Sequence, residues 1–511
     1  MAEIRLPAVI GDHAMLQAGK PIAIWGWATP GAQLTVFFAS HDSSRLVAFR
    51  ATADASGKWS GRMPAMKSGT AGQLQINSDK DGSKMVEDIL VGEVWLAGGQ
   101  SNMVYDLAGK RGGDRNNPEE VAEIAQNIVI AQKEADAAKP PIRYFEVTSK
   151  GADQPEDDVK GTWVLADSSN VQSFSAVAWN FAVALQNKLH VPIGLVVSCV
   201  GGTPVELWMS KEALESTVAG AAVLDRHHQA LAAVTPESIA KHKAEQKAWE
   251  AANPTPDLQR KNSASRPKPI YSSSSGPIRL YNGMIHGLEP YTLRGIIWFQ
   301  ADGNGGHPLE YSELFQGLIK QWRADWKEQL PFYFVEMNNM REDPQTKPVQ
   351  ACWLCIIREQ QHGGLLQPGT GMVAAIDVGT KNAHFPNKKP VGQRLAGLAL
   401  RDCYGQPGQA NSPMFKSFAV EANKIRLTFI DAEGLRVRGG GDLKGFTIRG
   451  NGGDWVWAAG RIDGRDIVVW SDQVPSPAAV RYAWASNPVI SVENGAGLPL
   501  YPFRTDTDSK E

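Results

Sequence analysis

Long apolar runs are missing from this 511-residue chain, and cysteine is scarce, with four in the whole length. No stretch approaches the roughly 18–20 apolar residues that a membrane-spanning helix needs; candidates such as Ile193 to Val200 are strand-length. Four cysteines exclude a disulfide-stapled scaffold. An excess of one charge is also missing: 52 Lys and Arg face 54 Asp and Glu, a net charge of −2. That balance leaves no basic footprint for a nucleic-acid backbone or an anionic membrane surface. The start, Met1 to Pro7, carries neither a charged-then-apolar leader nor a small-residue cleavage site. The expectation is an intracellular protein, or a periplasmic or secreted one whose leader was removed. What the chain does have is packing material. Hydrophobic residues reach 42% against 21% charged, the balance of a packed globular protein, and the 16 tryptophans are unusual. At roughly 150 residues per domain, three domains are expected.

Residues 1–91 read as an all-β, sandwich-like region. Short apolar stretches at Ile22–Trp27 and Leu34–Phe38 are separated by turn signals at Thr29-Pro30-Gly31 and Ala55-Ser56-Gly57. From residue 92 the texture changes. Uniformly apolar runs at Glu93–Ala97, Val191–Ser198, Arg294–Phe299, Phe332–Val335 and Met372–Ile376 alternate with helical patterns such as Val177–Leu189 and Tyr311–Trp326. Such alternation predicts an α/β domain over 92–404, with a parallel sheet covered on both faces. Within it, 211–275 is a helical insertion, with a solvated helix around Lys241–Glu245 and a Ser-rich end at Ser272–Gly276. Residues 405–511 return to β texture with turns near Gly439–Gly441 and Gly450–Gly453.

In a parallel α/β sheet, ligands collect at the carboxyl ends of the strands. Four ends here carry residues suited to acyl transfer. The first is Gly98-Gly99-Gln100-Ser101-Asn102-Met103, where a serine between strand and helix can present its hydroxyl at the rim or cap the helix. It is not the G-x-S-x-G elbow, because Met103 stands where that elbow needs glycine. The second, Gly201-Gly202-Thr203, offers backbone N–H groups or a tight turn. The third, Gln300-Ala301-Asp302-Gly303-Asn304, offers the Asn304 amide as an oxyanion donor. The fourth has Asp377 after a strand and His384 seven residues on. The order Ser, Asp, His is compatible with a triad. Cys352 and Cys355, although spaced C-x-x-C, are expected to be core packing, since no second pair completes a zinc site. Trp25, Trp95 and Trp298 fall in strand runs and are expected in the core, whereas Trp208 is the best sugar platform. His286 and His307 are further candidates for the pocket wall.

Gly99-Gln100-Ser101-Asn102-Met103 resembles the nucleophile block of the SGNH hydrolases, in the form used by sialate O-acetylesterases and related carbohydrate acetylesterases. The resemblance runs through Val91–Trp95, Gly201–Trp208, Tyr281–Ile285, Ile297–Gln300, His384, Asn387-Lys388, Arg394–Ala396 and Val480–Trp484. It implies a three-layer SGNH-hydrolase-like α/β sheet with β-rich N- and C-terminal accessory regions. It implies Ser101 as nucleophile and His384 as general base. The oxyanion hole would comprise the N–H groups of Ser101 and of Gly201 or Gly202, with the Asn304 amide. Gln100, Gln300 and Trp208 would bind substrate. The chain departs from the family pattern twice. Ala301 and Asp302 replace a Gly-Glu pair, and Lys381 stands where many members place an Asp three residues before the histidine. Either Asp377 orients His384, or backbone carbonyls do and the site is a Ser–His dyad.

The function implied is a serine esterase that removes O-acetyl groups from a carbohydrate, sialic acid or acetylated hemicellulose, with no metal or organic cofactor. The partner expected is the O-acetylated saccharide, not nucleic acid or membrane. Two alternatives are a glycan-binding protein with a decayed hydrolase site and an SGNH esterase for non-carbohydrate esters.

Overall fold

The structure is a computed structural model; it describes all residues except 1–2, 43–45, 115, 263–264, 268–270, 272–275, 341 and 508–511. The Ser-rich stretch Ser272–Ser275 therefore lies outside the described residues. Near the amino end, Gln33–Ser40 pairs antiparallel with Leu46–Thr52 and Ala71–Ser78. Alternate residues Leu34, Val36 and Phe38 turn inward, as period-2 patterning requires of a sheet with one wet face.

The organising element is β1 (Gly82–Gly99), an 18-residue strand that serves two sheets. Its first half pairs antiparallel with Ala71–Ser78, and its second half lies parallel between two central strands. Burial follows the change: from Gly82 to Asp88 only Val86 is buried, and every residue from Ile89 to Gly99 is buried. The expected division at residue 91 thus falls inside one continuous strand. The amino-terminal residues Ile24, Trp59 and Leu74 share one hydrophobic cluster with Trp95 and Trp298.

The central sheet adds β2 (Ile142–Glu146), β3 (Trp163–Leu165), β4 (Ile193–Cys199), β5 (Gly295–Phe299), β6 (Phe332–Val335) and β7 (Thr370–Val373). Its order is β7-β6-β5-β1-β4-β2-β3, parallel throughout except for β3, which runs antiparallel on the edge. The chain builds outward from β1 to one side through β2 and β4, then to the other through β5, β6 and β7. The carboxyl end of β1 is therefore the topological switch point, where crevices form in such sheets.

Helices cover both faces: α1 (Ser101–Val104), α2 (Pro118–Ala137), α3 (Ala176–Leu189), α4 (Val218–Ala232), α5 (Tyr311–Trp326), α6 (Trp353–Gln361) and α7 (Lys389–Tyr404). Tryptophan fills the two layers. Trp95 meets Phe181 of α3 and Tyr333, whereas Trp298 meets Trp208 and Trp322 edge-on. Trp95 and Trp298 are fully buried, as expected, and Trp25 nearly so. Within the insertion, the helix Pro236–Ala252 buries none of its residues, which fits the solvated helix expected there.

The carboxyl-terminal region packs two four-stranded sheets around a second core that includes Leu427, Ile448, Val469 and Tyr482. It is stapled to the α/β layer by the buried Arg358, whose guanidinium donates to the carbonyls of Met337, Asn338, Ala485 and Ser486. One expectation needs correction. Cys352 and Cys355 are buried, yet they are joined as a disulfide, because the first caps α6 and the second sits in its first turn with Cα atoms 5.2 Å apart. Among the described residues no helix is long and apolar enough to cross a membrane.

Candidate active site

The first strand end is shaped by close packing. Gly99 has φ +135°, and a Cβ there would overlap the carbonyl oxygen of Phe299 on β5. Only glycine lets the two strands approach this closely while the chain turns out of the sheet. Gln100 is extended, its N–H donating to Phe299, and α1 opens at the partly exposed Ser101. The turn after β4 comes alongside: a Cβ on Gly201 would stand 3.6 Å from the Ser101 Cβ. Gly201 and Gly202 are exposed, so this rim is open to solvent.

The turn Asp302–Asn304 after β5 forms the next wall. The Asn304 carbonyl Oδ1 accepts from the N–H of Val205 at 2.9 Å and from Gln300 Nε2 at 2.8 Å. Its Nδ2 donates to Glu206 Oε2 at 2.7 Å. A primary amide has two N–H groups, so this pattern fixes which end is nitrogen and uses one donor for Glu206. Burial raises the Glu206 carboxyl above the usual range, against the pull of its own backbone N–H, the Asn304 amide and the Arg226 charge. Gln100 ties this wall to the serine turn, with Nε2 donating to Asp302 and Oε1 accepting from the Gly303 N–H. Asp302, part of the first departure from the family pattern, is thereby bonded to the residue before Ser101.

His384 lies in the loop between β7 and α7. Its backbone N–H donates to Asn382 Oδ1 at 3.2 Å, and Asn382 in turn donates to the buried Glu120 of α2. Gly112 packs on the imidazole; a Cβ there would come within 3.0 Å of the ring, and φ is +135°. Asn102 ties this loop to the serine. It donates to the Ala383 carbonyl and to Asn338 Oδ1, each at 3.2 Å, and accepts from Lys388. Lys388 is 1% exposed, its ammonium 3.4 Å from the Phe385 ring centre and 4.9 Å from that of Tyr105. Burial drives its pKa well below the ordinary lysine value.

A family model described as carbohydrate esterase, sialic acid-specific acetylesterase, matches residues 269–401, a segment that contains Asn304 and His384. Among characterised proteins, the sialate O-acetylesterase of Mus musculus is 27% identical over 439 residues, 79% of this chain and 74% of the mouse protein. That of Rattus norvegicus is 27% identical, across 66% of this chain and 60% of its own length. The crystal structure of XAC1771, a carbohydrate acetylesterase from Xanthomonas citri, superposes with a TM-score of 0.79 and 31% identity, covering 99% of this chain and all of that one. The chain belongs to the sialic acid-specific acetylesterase family of carbohydrate esterases.

In this carbohydrate acetylesterase the three-layer α/β sheet with β-rich additions is the fold that the sequence predicts. Several side chains lie elsewhere than expected. Trp208 is not a sugar platform: it is fully buried, donates to Thr203 Oγ1 and packs edge-on against Trp298, because the turn Val205–Trp208 folds back over the sheet. Gln300 is also fully buried, with Nε2 donating to Thr203 and Asn304 and Oε1 accepting from Tyr311, so its polar atoms frame Asn304. Gln100, 2% exposed, does the same for the serine turn. The Asp377 carboxylate accepts two hydrogen bonds from Arg394 and one from Arg438. Burial raises its pKa, but the two guanidinium groups outweigh that and hold it below the usual carboxylate range. His286 lines a groove with Trp25, Trp27 and Asp325 beside the amino end of β5, away from the end that bears Asn304, and His307 is exposed beside Glu310. Among the described residues no three His, Cys, Asp or Glu side chains form a metal-holding group.

Sequence reasoning did not single out Glu206, Gly112, Glu120 or Lys388 for any role. The Gly112-Gly113 doublet and the position of Glu206 inside the Gly201–Trp208 block were the available signals.

Proposed function

We propose that the esterase cleaves O-acetyl groups from a saccharide through an acetyl-enzyme on Ser101. What carries this reading is the reach of three consecutive residues. Gln100 bonds the Asp302–Gly303 turn, Ser101 faces Gly201, and Asn102 bonds the residue before His384. The turn that bears the proposed nucleophile is thus bonded to the Asp302–Asn304 turn and to the loop of the proposed base, with Gly201 alongside.

In the first half-reaction, His384 takes the Ser101 hydroxyl proton as Oγ bonds to the acetyl carbonyl carbon. The carbonyl π electrons move to oxygen, and the oxyanion is met by the Ser101 N–H, a glycine N–H from Gly201 or Gly202, and the Asn304 amide. The bond from acetyl carbon to sugar oxygen then breaks, and His384 returns the proton to that oxygen. In the second half-reaction, water loses a proton to His384, attacks the acetyl-serine and releases acetate, while Ser101 regains its proton.

The substrate reading is an O-acetylated saccharide. XAC1771 is described as a carbohydrate acetylesterase and the rodent relatives as sialate O-acetylesterases, so both neutral acetylated glycans and acetylated sialic acid belong in the test. Acetate release is measured from 9-O-acetyl sialic acid, acetylated xylan, acetylated xyloglucan and an aryl acetate, with Ser101→Ala alongside. Release that the substitution abolishes supports the serine mechanism, and the preferred glycan names the substrate. Release that persists in Ser101→Ala overturns the serine mechanism.

A further inference from the structure

We infer that Glu206 is a positioning residue for the oxyanion hole, holding the Asn304 amide so that its second N–H stays directed at the reacting carbonyl oxygen. This rests on the reading of Asn304 as an oxyanion donor.

Two bonds fix the oxygen end of the Asn304 amide, from Val205 and Gln300. Both meet at one atom, so the amide plane retains freedom to rock about Oδ1. The 2.7 Å bond from Nδ2 to Glu206 adds a third point on the opposite end and removes that freedom. With one N–H held, the planar amide carries its other N–H in a fixed direction, about 120° away. A preorganised donor costs no reorientation when charge develops on the substrate oxygen.

The electrostatics argue that this carboxylate has a specific task. A negative charge one amide away from a developing oxyanion opposes that charge. Arg226 on α4 of the insertion acts on Glu206 in the offsetting sense, and Glu310, which its guanidinium bonds at 2.8 and 2.6 Å, acts in the opposite sense. Glu206 is itself anchored, since its carbonyl accepts from the N–H of Ile278 at 2.9 Å, where the chain returns from the insertion. Arg226 of the insertion thus acts on the carboxylate, and Ile278, just after the insertion, holds the Glu206 backbone.

The test is a double-mutant cycle on the full-length enzyme with 4-nitrophenyl acetate as substrate, reading kcat and KM separately. Asn304→Ala is expected to lower kcat by about 10²–10³-fold. Glu206→Ala is expected to lower kcat by about 10-fold or more with KM within about two-fold, because positioning acts on the transition state. In the Asn304→Ala background, Glu206→Ala is expected to have no further effect, whereas a purely structural role would multiply the two losses. Glu206→Gln, which keeps an acceptor oxygen, is expected to retain at least about a third of kcat; Glu206→Leu, similar in volume without an acceptor, is expected to match Glu206→Ala and replaces it in the cycle if the alanine variant does not fold. Multiplying losses, or an unchanged kcat in Glu206→Leu while Asn304→Ala is impaired, overturns the role of Glu206. An unchanged kcat in Asn304→Ala instead overturns the reading of Asn304, and the inference falls with it.

Discussion

Asn102 donates from Nδ2 to the carbonyl oxygen of Ala383 at 3.2 Å, so the residue after the proposed nucleophile holds the residue before the proposed base. The bond joins segments 281 positions apart in the chain. Its amide oxygen meanwhile receives the buried Lys388 ammonium. Asn102→Ala is therefore expected to do two things. Loss of the tie lets the His384 loop shift relative to Ser101, lowering kcat by about 10²-fold, the usual penalty for misplacing a catalytic group by about an ångström. Loss of the acceptor leaves Lys388 buried without it, lowering stability by about 1–3 kcal/mol. Steady-state kinetics and urea unfolding read the two effects separately. A kcat within about two-fold of wild type would remove Asn102 from the positioning of His384.

Gly112 offers a cleaner probe of the histidine. At φ +135° an alanine is strained, and its Cβ would press on the imidazole at 3.0–3.3 Å. Because Gly112 lies in a loop, the backbone absorbs much of the strain, but the ring must give way. Gly112→Ala is expected to cut kcat/KM by about 10-fold or more while the melting temperature falls by only a few degrees. Activity unchanged with an altered melting temperature would mean that the imidazole tolerates displacement.

The sheet was legible because strands covered on both faces announce themselves as short, uniformly apolar runs, as at Glu93–Ala97 and Ile296–Phe299. The strand ends followed from that, and with them Ser101, Asn304 and His384 as the candidates on which the proposed mechanism rests. What stayed hidden was decided by tertiary direction. Gln300 directly follows a strand end and Trp208 follows the Gly201-Gly202 turn in sequence, but the fold turns both inward. Asp377 was read by its nearness to His384 in the chain, yet its guanidinium partners lie 17 and 61 residues away. Lys388, which the sequence offers only as part of the resemblance, is placed by packing among aromatic rings.

The Asp377 contacts make it a staple between β-rich and α/β parts. Its side chain is 1% exposed, and Arg394 on α7 and Arg438 in the carboxyl-terminal region both point at it. Removing its charge leaves a buried guanidinium uncompensated, so Asp377→Asn is expected to lower stability by about 3–5 kcal/mol. The pH dependence follows from the depressed pKa. The contribution is present above the ordinary carboxylate range and is lost as pH falls through the depressed value. Denaturant unfolding at pH 7 and pH 3 checks this: the gap between wild type and Asp377→Asn should narrow at the lower pH. An equal gap at both would show that charge is not what Asp377 contributes.

Asp325 has the opposite sign. It accepts hydrogen bonds from Tyr281 and Gln321 beside Glu289, and burial, followed by the Glu289 charge, raises its pKa to about 6. Between the ordinary value of 3.8 and about 6 the folded state binds more protons than the unfolded chain, so stability falls as pH rises through that window. Above it, the ionised side chain costs the fold about 1–2 kcal/mol after allowance for solvent screening. Asn in its place keeps an acceptor for Tyr281 and Gln321 and carries no charge. Asp325→Asn is therefore expected to be more stable than wild type at pH 7.5 and no more stable at pH 4. Because Asp325 lies beside the groove at the amino end of β5, the kcat for an aryl acetate should stay within about two-fold. A variant less stable than wild type at pH 7.5 would mean that the Glu289–Asp325 pair is held together by interactions that need the second negative charge.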